Sequence, residues 1–147
     1  MAGALEGIRV IDLSRVLAGP FCAMLLGDMG ADVIKVESPE GGDESRTWPP
    51  FVQGESAGYL SMNRNKRSVT LNLKTPEGQE ICRRLIAKAD VLVENFRTGT
   101  MERLGLGYET LRELNPGLVY CAVSVAGRTG PAKDRAGYEA LMQAYSG

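Results

Sequence analysis

Short apolar segments rich in β-branched residues alternate along the chain with segments whose apolar residues recur every three or four positions. The first pattern predicts buried strands, and the second predicts helices that pack one face on a sheet. We predict strands at residues 8–13, 33–36, 68–73, 91–96 and 118–123, and helices at residues 21–29, 77–89, 101–104, 109–114 and 138–146.

Repeated alternation of strand and helix indicates an α/β fold of Rossmann-like, doubly wound type, with a mostly parallel sheet and helices on both faces. Gly19-Pro20 and Thr75-Pro76 are good helix starts. Residues 38–58 are polar and rich in glycine and proline, so we expect an extended loop or a lid there. Ligands of such a sheet bind at the carboxyl ends of its strands.

The composition is that of an ordinary globular domain, and we expect residues 1–147 to form one domain. With 17 basic and 18 acidic side chains, the net charge is -1, which gives no general attraction for nucleic acid or an anionic membrane. No apolar run approaches the roughly 20 residues of a membrane span, and the N-terminus has no signal-peptide pattern. We therefore expect a protein of the cytoplasm or of a matrix-like compartment.

Histidine is absent, and cysteine occurs at Cys22, Cys82 and Cys121. Without histidine, Ser-His and Cys-His catalysis and histidine-ligated metals are excluded. The cysteines are widely spaced and form no C-x-x-C pair, so we expect neither a disulfide framework nor a metal site. Cys22 follows a predicted helix start, where a thiolate is favoured, but a nucleophile also needs a base; core packing is the favoured role.

Residues 91–105 combine an apolar strand with two arginines around a helix start. Arg97 lies where the strand ends, Arg103 lies in the following helix, and Thr98 or Thr100 can cap that helix. Guanidinium groups and backbone N–H groups would then converge on one place, which favours binding of phosphate. The same pattern is equally compatible with a solvated turn that carries two surface arginines.

Several other segments fit the same picture. Residues 8–20 read IRVIDLSRVLAGP, residues 26–37 read LGDMGADVIKVE, and residues 65–78 read NKRSVTLNLKTPEG. Together with Glu94-Asn95-Phe96-Arg97, they resemble the N-terminal region of the family III CoA-transferases, a group that includes formyl-CoA transferase, carnitine CoA-transferase and α-methylacyl-CoA racemase. The resemblance spans essentially the whole chain, from Leu5 to Gly147.

The resemblance implies that this chain binds coenzyme A or acyl-CoA. The first strand-to-helix loop would line the CoA and acyl site, and the end of the third strand would hold the adenine ring by main-chain contacts, with Lys74 near a phosphate. Without the resemblance, residues 15–19 could be only a tight turn, Lys74 a surface lysine and Phe96 a core residue. The implied binding residues are Val16, Leu17, Ala18, Leu71, Asn72, Leu73, Lys74, Asn95, Phe96, Arg97, Arg103, Arg135, Ala136, Gly137 and Tyr138.

The resemblance also implies a reaction in which CoA moves from an acyl-CoA to a carboxylic acid through an aspartyl-CoA thioester. The catalytic aspartate, the second domain and the segment that interlocks two subunits into a homodimer would lie beyond Gly147. We therefore expect no catalytic residue within the chain and no transferase activity from the chain alone.

The chain departs from the family pattern at two positions. Ser38 stands where formyl-CoA transferase has a phosphate-binding arginine, for which Arg46 is a candidate replacement, and Leu17 replaces a glutamine, which suggests other acyl groups. Within the family, Tyr138-Glu139 without histidine favours a transferase over a racemase. The alternatives are a racemase-like enzyme and a non-catalytic, truncated CoA-binding module.

Overall fold

The computed structural model describes residues 3–135, 137 and 139–146, and a sheet of parallel strands forms its centre. The strands are β1 Arg9–Asp12, β2 Asp32–Glu37, β3 Phe51–Val52, β4 Glu55–Ser56, β5 Lys66–Thr70, β6 Val91–Glu94 and β7 Val119–Ala122. The central sheet has the order β5-β2-β1-β6-β7, and each neighbouring pair is parallel. β3 and β4 form a separate antiparallel hairpin.

Helices cover both faces of this sheet. They are α1 Ala18–Asp28, α2 Ala57–Asn63, α3 Pro76–Ile86, α4 Thr100–Arg103, α5 Tyr108–Leu114 and α6 Glu139–Ser146. Val10 of β1 packs with Ala23 of α1 on one face, whereas its neighbour Ile11 packs with Ile86 of α3 and Leu111 of α5 on the other. Alternate side chains of a strand point to opposite faces, so these two clusters confirm the predicted doubly wound α/β fold.

The start of α3 follows the predicted local chemistry, but its buried face differs. The Thr75 hydroxyl accepts a hydrogen bond from the Gly78 N–H at 3.2 Å, and Pro76 occupies the first turn. The sequence pattern places the apolar residues Ile81, Leu85 and Ile86 on one face, but Cys82 and Ile86 form the buried stripe and Ile81 is 43% exposed. Cys82 and Ile86 share one face of the helix because they lie four residues apart, and the half-buried Leu85 lies at the edge of this stripe.

The expected loop at residues 38–58 is in large part structured. It contains a 3₁₀ turn at Glu44–Thr47 and the β3–β4 hairpin, and α2 begins at its end. Helix α2 was not predicted, because it is short. Its first turn is stabilised by an N-cap, in which the Ser56 hydroxyl accepts a hydrogen bond from the Tyr59 N–H at 3.2 Å. The third and fourth main strands also end earlier than predicted, at Thr70 and Glu94, so the implied CoA-binding residues lie in the loops that follow.

Within the described part of the chain, we find no helix that is long and apolar enough to cross a lipid bilayer.

Candidate functional site

The carboxyl ends of β1 and β6 lie side by side at the point where the strand order reverses. From β1 the chain moves outward to β2 and β5, then returns to β6 and moves outward on the other side to β7. In open α/β sheets, the crevice at such a point is where ligands bind. Residues 16–18 and 95–97, from two of the implied binding segments, border this same crevice.

Asn95 fixes the loop that enters α1. Its side-chain Oδ1 accepts a hydrogen bond from the Arg15 N–H at 2.9 Å, and its Nδ2 donates to the Arg15 carbonyl oxygen at 2.8 Å. The Arg15 guanidinium lies over the Phe96 ring, 5.1 Å from the ring centre. The two loops at the crevice are therefore joined by two hydrogen bonds between the Asn95 side chain and the Arg15 backbone, and by the contact of the Arg15 guanidinium with the Phe96 ring.

The same loop holds a strained residue. Val16 has a φ angle of 70°, in the left-handed region that β-branched residues disfavour. Such strain costs about 1–3 kcal/mol and persists where the surroundings hold the backbone, often at ligand-binding sites. Gly19 permits close approach, because a Cβ there would lie 2.2 Å from the Ser14 Cβ.

A buried pair of opposite charges lies beneath this loop. Lys35 is 1% exposed, and its Nζ lies 2.9 Å from Asp43 Oδ2 and donates to the Ser14 carbonyl oxygen at 2.9 Å. Asp43 Oδ1 accepts hydrogen bonds from the Val16 N–H at 3.1 Å and the Ser45 N–H at 3.0 Å. Burial would raise the pKa of Asp43, but Lys35 and Ser45 outweigh it, so the pKa is lowered and the carboxylate stays ionised.

A second buried pair joins β1 to β5. The Lys66 Nζ donates to Asp12 Oδ2 at 2.8 Å, to Asn63 Oδ1 at 2.9 Å and to the Pro20 carbonyl oxygen at 2.8 Å. Burial lowers the pKa of Lys66, and Asp12 opposes that shift. The three acceptors satisfy the whole ammonium group and connect the start of α1, the end of α2 and the sheet.

Arg46 is bound to Glu37 at the end of β2. Its guanidinium donates to both Glu37 carboxylate oxygens at 2.7 Å, and Tyr59 adds a hydrogen bond from its hydroxyl to Glu37 at 3.0 Å. Burial would raise the pKa of Glu37, but these bonds, with those from Ser68 and the Asp43 N–H, lower it to about 2. Arg46, the candidate replacement for the arginine missing at Ser38, therefore already has a carboxylate partner.

A cleft of about 320 Å³ opens between the ends of β2 and β5. Residues 71–74 follow directly after β5, beside this cleft, and the Leu71 N–H donates to the Glu37 carbonyl oxygen at 2.9 Å. Lys74 Nζ lies 3.4 Å from a Glu40 oxygen, but both side chains are more than three-quarters exposed, so the pair is weak. The cleft is lined by Glu37, Ser38, Pro39, Gly41, Gly42, Arg46, Ser68 and Thr70.

Arginines without carboxylate partners gather at the crevice. Among the described residues, Arg15, Arg97 and Arg103 form no ion pair, and neither do Arg84 of α3 and Arg135, whereas the other described arginines do. The Arg103 guanidinium folds back and donates to Thr100 Oγ1 at 2.9 Å. These cations are a local positive site on a chain that has almost no net charge.

The expected helix cap at this site is wrong. The residue before α4 is Gly99, with a φ of 81° and no side-chain capping bond. The Thr98 hydroxyl donates instead to the Lys133 carbonyl oxygen at 2.8 Å, and Thr100 accepts from Arg103. Because α4 is a single turn, the positive character of the site comes from arginine side chains rather than from a helix terminus.

Glu94 anchors the other border of the crevice. It is fully buried and accepts hydrogen bonds from the Phe96 N–H at 2.8 Å, from the Tyr120 hydroxyl at 3.3 Å and from Arg128. Burial raises the pKa of Glu94, and the Phe96 N–H and Arg128 oppose that rise. The Arg128 contact, with the Thr98–Lys133 bond, holds the loop after β7 against the end of β6.

The family resemblance implies that Arg135, Ala136, Gly137 and Tyr138 form the last CoA-binding stretch. Arg135 is exposed, with its guanidinium 4.8 Å from the ring centre of Tyr145 in α6, and Gly137 is half-buried. Ala136 and Tyr138 lie outside the described residues. The described part of this stretch therefore shows one exposed cation, which contacts α6.

Sequence reasoning missed the buried charges that shape the loops: Asp12, Lys35, Glu37, Asp43, Lys66 and Glu94. A signal was present, because Lys35 interrupts the apolar run of β2 and a charged residue there must be paired if the strand is central. The cysteines carry no comparable signal. Burial and the neighbouring Cys121 raise the pKa of Cys22, which disfavours a thiolate.

The parallel sheet with helices on both faces defines a protein of the doubly wound α/β class, in which ligands bind at the crevice where the strand order reverses. Residues 5–147 match CoA-transferase family III, so the chain belongs to this family. It is 54% identical over 144 residues to succinyl-CoA:glutarate CoA-transferase from Homo sapiens, and 55% identical over 150 residues to succinate–glutarate CoA-transferase from Agrobacterium fabrum. These matches cover 97% of this chain but 33% and 38% of the two relatives, so the chain spans little more than a third of their length.

A solved structure supports the same assignment. The crystal structure of a CaiB/BaiF family protein from Brucella suis superposes with a TM-score of 0.93 at 47% sequence identity. The superposition covers 99% of this chain and 39% of that protein.

Proposed function

We propose that this chain forms the CoA-binding part of an enzyme that moves CoA from an acyl-CoA to a carboxylic acid. The observation that carries the proposal is the set of arginines without carboxylate partners beside the anchored loop that enters α1. CoA carries phosphate groups, and charged hydrogen bonds from arginine are suited to them.

The binding surface extends from the cleft beside β5 to the crevice beside β6. These strands are three positions apart, which corresponds to about 14 Å at about 4.8 Å per strand. An extended ligand such as CoA can bridge that distance. The adenine and phosphates would lie against residues 71–74, 95–97 and Arg103. The thiol end of CoA, with its acyl group, would lie against the backbone of Val16, Leu17 and Ala18, and the stretch from Arg135 to Tyr138 would complete the contacts.

The chemical steps would use an aspartate outside this chain. Its carboxylate attacks the thioester carbonyl, which forms a mixed anhydride and releases the CoA thiolate. The thiolate attacks the aspartyl carbonyl, which releases the first acid and leaves an aspartyl-CoA thioester. The acceptor carboxylate then attacks this thioester, and the CoA thiolate, released again, attacks the new anhydride to give the second acyl-CoA and free aspartate.

The substrate class follows from the relatives named for succinyl-CoA and glutarate. We propose short dicarboxylic acids as acceptors and succinyl-CoA as the donor. By the same resemblance, the intact enzyme would be a cytoplasmic, interlocked homodimer that needs no metal.

A transfer assay on the intact protein tests this function. Succinyl-CoA and glutarate should give glutaryl-CoA and succinate, and mass spectrometry should detect CoA bound to an aspartate outside residues 1–147. The 147-residue chain alone should show no exchange above background. Turnover by the chain alone that survives repurification and is lost in Asp12→Asn would contradict the placement of the nucleophile.

A further inference from the structure

Asp43 contacts both parts of the proposed binding surface. Its backbone N–H donates to Glu37 Oε2 at 3.0 Å, beside the cleft between β2 and β5. Its side chain, which is 1% exposed, accepts a hydrogen bond from the Val16 N–H at the crevice. The segment after β2 is thus joined to a loop 27 residues away in sequence.

Three consecutive residues of the loop before α1, Ser14, Arg15 and Val16, each have a hydrogen-bond partner from another element. Lys35 binds the Ser14 carbonyl oxygen, Asn95 binds both backbone groups of Arg15, and Asp43 binds the Val16 N–H. Asp43 differs from the other partners because it holds the residue with the left-handed backbone. A valine released from such contacts returns to negative φ, and the neighbouring peptide planes turn with it.

We propose that Asp43 is a positioning residue for acyl-CoA binding, which holds residues 15–18 in their binding conformation by accepting the Val16 N–H. Asp43 itself is buried and acts through Val16. The proposal rests on the proposed function, in which the backbone of residues 16–18 contacts the ligand.

Calorimetric titration of CoA into variants of the intact protein tests this role. Asp43→Ala removes the acceptor and should weaken CoA binding by about tenfold, the loss expected for one buried hydrogen bond that orders a site. Asp43→Asn keeps an oxygen acceptor and should bind within about threefold of the wild type. Asp32→Ala is the matched control, because Asp32 lies at the other end of β2 and pairs with surface arginines.

A second substitution isolates the proposed path through Val16. Glycine accepts positive φ without strain, so Val16→Gly should recover part of the CoA affinity when it is added to Asp43→Ala. A purely structural role for Asp43 would give no such recovery. If Asp43→Ala does not fold, the Asp43→Asn variant tests the proposal instead. Its affinity for CoA should be close to that of the wild type, and the Val16 amide of this variant should be protected from hydrogen exchange.

The outcomes separate this proposal from the proposed function. A wild-type protein that does not bind CoA would contradict the proposed function itself. A wild type that binds CoA, with folded Asp43→Ala binding equally well, would overturn the role of Asp43 alone. Loss of binding in folded Asp43→Asn, or no recovery from Val16→Gly, would overturn it as well.

Discussion

At the scale of single residues, buried charged side chains hold the loops of the site in place through their hydrogen bonds. Lys35, Asp43 and Glu37 belong to β2 or to the segment that follows it, and all three are at most 5% exposed. Burying a charge is costly unless it is paired and hydrogen-bonded, and each of these side chains is both. Their bonds reach loop backbone groups that would otherwise be free to adopt other conformations.

Glu37 gives a pH-dependent prediction. Glu37→Gln should lower the free energy of unfolding by about 3 kcal/mol at pH 7, because Arg46 then loses a buried carboxylate partner. The pKa of Glu37 is about 2 in the folded protein, below its ordinary value of about 4.3 when unfolded. Its contribution is therefore complete above pH 5 and is lost as the pH falls toward 2, so the wild type and the variant should converge in acid.

Urea unfolding between pH 7 and pH 3 measures this difference. Glu40→Gln is the control, because the exposed Glu40 makes a weak pair with Lys74, and its change should stay below about 0.5 kcal/mol. A difference between wild type and Glu37→Gln that does not change with pH would show that the Glu37 charge is not responsible.

At the scale of elements, the close contact between α1 and the loop that follows β1 depends on Gly19. Gly19→Ala should destabilise the protein by about 1–3 kcal/mol, since the new Cβ would lie 2.2 Å from the Ser14 Cβ. Gly58→Ala in α2 is the matched control, because its nearest neighbour, Ser56 Oγ, lies 3.6 Å from the added carbon. That variant should be neutral or up to about 1 kcal/mol more stable.

Thermal unfolding of the wild type and both variants measures this difference in stability. A stable Gly19→Ala protein with unchanged CoA binding would mean that the loop can move away from α1 without consequence.

The strand and helix alternation was predictable from sequence because it rests on local periodicity. Helix α2 was not, since its start rests on the Ser56 cap rather than on a long apolar stripe. Within the site, the sequence was sufficient to place the arginines at strand ends, but it was not sufficient to predict which residues contact them. The bond from Asn95 to Arg15 joins residues 80 apart, and no local pattern reports such a pairing.

At the scale of the whole molecule, apolar side chains remain exposed along α1. Leu17, Phe21, Leu25 and Met29 are four residues apart and each 42–44% exposed, so they form one stripe on the helix surface. Met142 and Tyr145 of α6 are also exposed, while Leu141 is half-buried. Contiguous exposed apolar surface tends to recruit another surface.

We predict that the isolated 147-residue chain self-associates through the α1 stripe. Light scattering should report an average mass above the 15.8 kDa of the monomer, and Leu25→Gln should lower it. Leu114→Gln on α5 is the control, since Leu114 is 43% exposed but lies outside the stripe. A wild-type chain that is a clean monomer with a cooperative, high-temperature unfolding transition would contradict this prediction.

The most direct test of CoA binding at the carboxyl edge of the sheet is calorimetry with CoA and an arginine variant of the intact protein. Arg103→Ala should weaken binding by about 1.5–3 kcal/mol, the value of a hydrogen bond from a charged group to phosphate. Arg84→Ala is the control, because Arg84 is exposed in the last turn of α3, near the opposite edge of the sheet, and should bind CoA like the wild type. Equal affinities for the wild type and a folded Arg103→Ala protein would contradict the placement of CoA at this edge.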